Sequence, residues 1–410
     1  MNMTVQTSVC IVGGGPAGMM LGFLLARAGT DVIVLEKHAD FLRDFRGDTI
    51  HPSTLELMYE LGLLEEFLAR PHQEVRELGG KVGGETVQIA DLTHLPTHCK
   101  FLALMPQWDF LSFILEQGGR YPGFQVKMQA EVTDLIEQDG RIAGVVARVP
   151  DGTIEIRAPL TVGADGRHSI VRERAGLQVM DMGAPMDVLW MRISRQPDDP
   201  ADSLGHIEAG KMFVMINREE YWQCAFLIPK GAAEQVRSRG IERFREEVAA
   251  LEPFLRDRLG ELRDWRDVSL LTVKVDRLRE WSRPGLLCIG DAAHAMSPVG
   301  GVGINLAIQD AVATANILAA KLQGQNVSDG DLKAVQRRRE FPTRAMQRLQ
   351  IAVQNEVIKR VLASSQPIKV PWPLKLMQQV PALRRIPARI IGMGFRPEHV
   401  RTPDVLVRRS

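Results

Sequence analysis

Val9-Cys10-Ile11-Val12-Gly13-Gly14-Gly15-Pro16-Ala17-Gly18 sets a short apolar run against a glycine-rich turn. The run reads as a buried strand, and residues 19–27 continue as an apolar helix. A second strand over residues 31–35 ends at Glu36, with Lys37 next. Strand, tight turn, helix, strand and acid form the context that a G-x-G-x-x-G dinucleotide turn requires. Gly13 makes the turn, Gly15 lets the backbone approach a pyrophosphate, and Gly18 lets helix and strand pack closely. The helix start, at Ala17, receives the phosphate charge. Glu36 stands where a carboxylate binds the two hydroxyls of an adenosine ribose. A tight turn with no ligand is the plainer alternative, and the full context weighs against it.

Nearly 300 residues later the pattern returns in another form. The apolar run Leu286-Leu287-Cys288-Ile289 leads into Gly290-Asp291-Ala292-Ala293-His294, then Pro298, Gly300, Gly301, Gly303 and Asn305. This reads as a buried strand, an acidic turn, a glycine-rich loop and a helix over residues 304–321. Free N–H groups of a helix's first turn favour negative charge on a planar ligand lying against them. A reduced flavin, whose N1–C2=O edge becomes anionic, has that need. Between the two sites, Thr161-Val162-Gly163-Ala164-Asp165-Gly166 ends an apolar strand over residues 156–162 and precedes Arg167, Ser169 and Arg172. An Asp-Gly turn alone is common; its weight here comes from order and spacing.

In that order the three motifs resemble the class A flavoprotein aromatic hydroxylases, the para-hydroxybenzoate hydroxylase group. The resemblance spans residues 13 to 305 and implies FAD bound in extended form, with adenosine at the first motif and the isoalloxazine ring at the third. It also implies NADH or NADPH as reductant, O2 as co-substrate, and oxygen transfer through a flavin C4a-hydroperoxide to an aromatic (phenol-, pyridine- or quinolone-like) or polyketide small molecule. Carried over residue by residue, Gly13, Gly15 and Gly18 match the pyrophosphate turn, Glu36 the ribose acid, and Arg46 an arginine reaching the FAD phosphates or ribose. Gln107 takes a position where the family sets Gln or Arg against FAD, and Val132 lies on a strand like the adenine-contacting one. Asp165 matches the middle-motif acid and Asp291 the ribityl-binding acid. Gly301, Gly303, Ile304 and Asn305 match the segment facing the pyrimidine edge of the flavin.

No catalytic base can be named from spacing. His51, in the polar loop after Arg46, reads either as a proton relay near the flavin or as an ordinary residue at a helix start. Pro298 lies in the loop expected against flavin and substrate, and His294 reads as a packing residue. The second Trp of the halogenase Trp-x-Trp-x-Ile-Pro pattern is absent from the nearest stretch, Trp222 to Pro229.

Composition agrees with a soluble, cytoplasmic enzyme: 410 residues, 45% hydrophobic, 25% charged, net charge +1. Nothing global selects nucleic acid. The uncharged start lacks the basic region of a secretory signal, and its glycines and proline break the apolar core such a signal needs. Cys10, Cys99, Cys224 and Cys288 lie far apart, without metal or disulfide spacing. Residues 374–410 carry eight basic residues (Lys375, Arg384, Arg385, Arg389, Arg396, Arg401, Arg408, Arg409) against Glu398 and Asp404. A terminal helix with a solvated basic face is preferred there over a membrane-surface or acidic-partner role.

The expected architecture is α/β: an FAD-binding doubly wound parallel sheet of the glutathione-reductase type, discontinuous over residues 1–75, 98–180 and 271–330. Residues 76–97 and 181–270 form a mostly antiparallel substrate sheet, with strands at 186–193, 211–216 and 221–228 and one charged helix over 237–258. Trp190, Met191, Phe213, Met215, Trp222 and Phe226 are pocket candidates among residues that mostly serve as core. Residues 331–410 are C-terminal helices with the basic tail. The chain reads as monomer or homodimer. A flavoprotein epoxidase, oxidase or reductase of a larger hydrophobic substrate, or a non-catalytic FAD-bound sensor, remain alternatives.

Overall fold

The computed structural model describes residues 3–42, 49–200 and 204–407. Its centre is a sheet whose strands run Leu286–Cys288, Leu160–Gly163, Val9–Val12, Val32–Leu35, Phe124–Lys127, all parallel, with Ser282–Arg283 antiparallel at one edge. Four of these strands are buried along their whole length, as their unbroken apolar runs require. At their carboxyl ends one backbone ladder steps across the sheet. Ile289 N–H donates to Gly163 O, Ala164 N–H to Val12 O, Gly13 N–H to Leu35 O and Glu36 N–H to Lys127 O. The glycine turns therefore leave the sheet side by side.

Helices Pro16–Arg27, Gln107–Gly118 and Gly303–Gln323 pack together beside this sheet. Its other side meets the antiparallel strands Glu131–Gln138, Arg141–Val149 and Gly152–Arg157, extended in parallel by Met3–Gln6. This differs from the doubly wound expectation, which puts helices on both faces. The strand expected over residues 156–162 is also two. Pro159 has no N–H to donate, and the chain passes there from the antiparallel sheet (Gly152–Arg157) into the parallel one (Leu160–Gly163).

A seven-stranded sheet stands over the carboxyl ends. Its order is Val268–Leu271, Met186–Ser194, Tyr221–Pro229, Lys211–Asn217, Leu204–Glu208, Glu77–Val82, Glu85–Asp91. Period-two alternation divides its two faces. Leu189, Met191, Phe213, Met215, Trp222 and Phe226 face helix Ile241–Leu251 in a closed core. Val188, Trp190, Met212, Ala225, Leu227 and Leu271 gather on the other face with Val299 of the third motif's loop and Ile358. Of the six pocket candidates, only Trp190 lies on the motif side. The charged helix expected over 237–258 is three pieces, interrupted at Gly240 (φ 88°) and at Pro253.

Helix Asp329–Val353 runs through a π-helical turn, Gln354–Ile358, into Lys359–Ala363. Two short helices follow, Trp372–Gln379 and Arg385–Met393, before the chain returns to the parallel-sheet layer. The stretch Val299–Gln323 is apolar enough to cross a membrane by length and composition, but 83% of its apolar window is buried inside the protein, as in a core helix. All four cysteines are buried and free.

Candidate flavin site

The three turns touch one another. A Cβ on Gly13 (φ 107°) would stand 2.4 Å from the Ala164 carbonyl oxygen and 2.8 Å from Asp165 Cα, so the first and middle turns meet through that missing side chain. A Cβ on Gly290 would stand 3.1 Å from Ala17 and 3.3 Å from Ala307, joining the last turn to the first helix. Arg167 Nε donates to Asp291 at 3.1 Å, bridging the middle and last turns. Around Gly15, by contrast, no atom lies within 4 Å of where a Cβ would be.

Glu36 is buried at its strand end, where its carboxylate accepts from Gly14 N–H (2.9 Å) and His38 N–H (3.0 Å). Ala130 N–H donates to Glu36 O, which sets the Val132 strand beside this acid. Lys37 is exposed, and the Gln107 side chain, at the first position of its helix, hydrogen-bonds to none of the described residues. Arg46 lies outside the described residues.

Asp165 is committed to the protein. One oxygen accepts from Ser169 Oγ (2.5 Å) and the other from Val171 N–H (3.2 Å), and burial raises its pKa despite these bonds. Ser169 in turn caps the short helix Ile170–Arg174. Asp165 thus shapes the turn that presents Arg167. One nitrogen of Arg167, Nη1, is buried with no hydrogen-bond partner.

Asn305 is also fully engaged. Its Oδ1 accepts from His51 N–H (2.9 Å) and Thr54 Oγ1 (2.8 Å), and its Nδ2 donates to Thr49 O (2.8 Å) and Gly301 O (3.3 Å). Residues 49–54 are thereby bound to the start of helix Gly303–Gln323. Ile304 is buried and Gly303 half-buried beneath the same loop. His51 is 1% exposed, and its Nδ1 donates to Ile391 O at 2.7 Å. Burial outweighs that bond and the nearby Gly300 carbonyl and holds its pKa at about 4. The imidazole is therefore neutral at neutral pH, and its Nδ1 bond ties the start of helix Pro52–Glu60 to helix Arg385–Met393.

Three glutamines hold the loop that carries Pro298. Gln347 Nε2 donates to Ala295 O (3.2 Å) and Asp276 O (2.8 Å). Gln350 bonds Ser297 N–H (3.2 Å), Ser297 O (3.0 Å) and Val299 O (2.7 Å), and Gln354 Nε2 donates to Ser297 Oγ (2.5 Å). Pro298 and Val299 are half-buried and Gly300 is exposed at the tip. Behind the loop, His294 Nε2 and Arg339 Nε bond the fully buried Asp310 at 2.6 and 2.9 Å. Burial raises the Asp310 pKa, but His294 and Arg339 together bring it below the ordinary carboxylate value. Sequence reading missed Asp310, Arg339 and the glutamines. One signal was available, an acid inside an otherwise apolar helix.

These residues fit FAD: an open backbone approach at Gly15, a carboxylate at the end of strand Val32–Leu35 beside that turn, an unpartnered guanidinium nitrogen on Arg167 and a helix start without a side-chain cap. Among the described residues no group of His, Cys, Asp and Glu could hold a metal.

The chain belongs to the FAD binding domain family, whose model matches residues 6–349, and within it to the class A aromatic-hydroxylase-like flavoprotein monooxygenases. It is 32% identical over 393 residues to the 6-methylpretetramide 4-monooxygenase of Streptomyces rimosus, spanning 94% of this chain and 92% of that protein. It is 24% identical over 347 residues to the para-nitrophenol 4-monooxygenase of a Pseudomonas species, spanning 83% and 84%. Its fold is similar to that of the anhydrotetracycline hydroxylase OxyS from Streptomyces rimosus, with TM-score 0.74 and 24% identity over 95% of this chain and 76% of that one.

Proposed function

We propose that this protein hydroxylates an electron-rich aromatic polyketide or related polycyclic phenol, consuming NADH or NADPH and O2. The observation that carries the substrate class is the face opposite the third motif. Val188, Trp190, Met212, Ala225, Leu227, Leu271 and Val273 form an apolar wall that packs against Val299 of the loop. The Trp190 indole N–H is the only side-chain N–H in that cluster, and it is buried without a partner. Such a wall suits a flat, mostly carbon ligand with one directed hydrogen bond. The similarity to a 6-methylpretetramide 4-monooxygenase over almost the whole chain supports the same class.

Bound FAD supplies the redox chemistry, accepting two electrons from the nicotinamide and activating O2. The chain supplies the rest. Gly13, Gly15, Ala17 and Gly18, with Glu36, Lys37 and Gln107, hold the adenosine and phosphate end; Val132 lines the adenine side. Asp291, steadied by Arg167, takes the ribityl hydroxyls. Gly303 and Ile304 offer backbone N–H groups to the pyrimidine edge, where negative charge accumulates, and Gly301, whose own N–H donates to Pro298 O, lets the ring approach the backbone. The glutamine bonds fix the Pro298 loop, and the apolar wall keeps water from the reacting face.

The test is turnover. Purified protein reconstituted with FAD is offered phenols, pyridines, quinolones and a tetracyclic polyphenol, while NADH or NADPH oxidation, O2 uptake and product mass are followed. The reading expects at least one compound to accelerate oxidation and gain one oxygen atom. Bound flavin with no ligand-stimulated turnover across the panel would favour a sensor instead.

A further inference from the structure

We propose that the outer face of helices Trp372–Gln379 and Arg385–Met393 is a docking surface for an anionic lipid bilayer. The inner faces of both helices are already occupied. Gln378 exchanges hydrogen bonds with the Gln88 backbone, accepting at 3.1 Å and donating at 2.8 Å. Leu374 packs with Val82, Val87 and Val370, and Ala388 and Ile391 pack with Leu92 and Leu95. What remains outside is apolar: Trp372 is 75% exposed and Ile386 59%, with Leu376 and Val380 exposed alongside.

Basic residues are set among these side chains. Lys369, Lys375, Arg385 and Arg389 are all exposed. From residue 357 to residue 397 the sequence has no Asp or Glu at all. The next two acids are spent inward, Glu398 on Arg338 and Arg339, and Asp404 on Arg27 and Tyr121. At the end of the neighbouring strand Glu85–Asp91 and in the turn after it, Asp91 and His94 face Arg385, while Lys369, Lys375 and Arg389 pair with none of the described residues.

Charge decides between occupants. A second copy of the chain seated here would set basic residues against basic residues. An anionic bilayer meets both components: Trp372, Leu376 and Ile386 enter the headgroup–acyl boundary while Lys and Arg side chains reach lipid phosphates. An indole at such a boundary is in its preferred environment. Pro371, Pro373, Pro381 and Pro387 keep the helices short, so the face lies along a surface and does not span one.

The experiment is co-sedimentation of the full-length, FAD-reconstituted protein with vesicles of phosphatidylcholine alone or with about one third phosphatidylglycerol. The expected result is binding to the anionic vesicles at least about tenfold tighter than to the neutral ones, abolished by high salt. Trp372→Ala with Ile386→Ala, and separately Lys375→Gln with Arg389→Gln, each weaken binding about tenfold or more, at unchanged FAD content and thermal midpoint. All four side chains are exposed, so the variants fold. Absence of anionic-vesicle binding at low salt overturns the proposal. So does equal binding by either double variant, in which case an acidic protein partner becomes the better occupant.

Discussion

Arg167 and Asp291 lie 3.1 Å apart, guanidinium Nε to carboxylate, and their ion pair links the middle and last turns, beside the bond from Arg172 Nη1 to Ala292 O. Both side chains are partly exposed, at 19% and 29%, so the pair adds little to folding stability. Its work is positional: Arg167 keeps the carboxylate aimed while Asp165, through Ser169, keeps the Arg167 turn in shape. Asp291→Asn is expected to weaken FAD binding at least tenfold, about 1.4 kcal/mol, while the thermal midpoint of the apoprotein stays nearly unchanged. Titration by flavin fluorescence quenching, beside thermal unfolding, separates the two quantities.

Asn305→Ala should behave in the opposite way. The amide makes four hydrogen bonds in a buried setting, and truncation leaves Thr49 O, Gly301 O, His51 N–H and Thr54 Oγ1 without their partner. The expected cost is about 2 to 3 kcal/mol. Urea unfolding of the apoprotein reads it directly, and an unchanged midpoint would show that water replaces the amide.

His51 gives a pH dependence with a definite sign. Burial lowers its folded pKa to about 4, whereas the unfolded chain titrates near the ordinary 6.5. Between those values the unfolded state binds more protons, so stability falls as pH falls through that window and is fully present above it. For this one group the loss at pH 5 is about 2 kcal/mol. Comparing pH 7 with pH 5, the wild type should lose more stability than His51→Gln, because the carboxylates common to both cancel in the difference.

Much of this site was legible because its signals are local. A glycine turn between an apolar strand and a helix is contained in about thirty residues, and the first, middle and last turns are such units. What the sequence hid is non-local. Nothing near Asn305 announces that its amide clasps residues 49–54, and nothing near Gln347, Gln350 and Gln354 names the loop they bind. Asp165 was legible as a motif acid, but its commitment to Ser169 and Val171 depends on three-dimensional closure of the turn. In the seven-stranded sheet, alternation separated two sets of side chains without saying which faces the third motif. Trp190 and Met191 are sequence neighbours on opposite faces. The strand Met3–Gln6 was missed because it pairs with Gly152–Arg157, about 150 residues away.

Trp190→Phe tests the wall. Phenylalanine keeps one aromatic ring on the wall and removes the indole N–H, which has no protein partner to lose, together with the volume of the five-membered ring. The lost ring volume should cost about 1 to 2 kcal/mol of stability with FAD affinity unchanged, while KM for the preferred aromatic substrate rises about tenfold, the worth of one hydrogen bond in a dry site. Steady-state kinetics with that substrate reads the effect. An unchanged KM would place the substrate's polar group elsewhere.

Two glycines of the first turn should respond to alanine in contrasting ways. At Gly13 a methyl group meets backbone atoms at 2.4 and 2.8 Å, and φ is 107°, where an alanine is strained. The turn cannot yield without moving residues 164–165, so Gly13→Ala should destabilise the apoprotein by more than about 2 kcal/mol. At Gly15 the backbone is extended (φ −79°) and the methyl meets no protein atom within 4 Å. Gly15→Ala should therefore fold as well as wild type. On the proposed reading its methyl would occupy the space through which a pyrophosphate approaches the helix start, and FAD affinity should fall about a hundredfold or more. Unfolding curves and FAD titrations of the two variants, run side by side, distinguish a turn that serves the fold from one that serves the coenzyme. If Gly15→Ala binds FAD normally, the pyrophosphate does not pass over this turn.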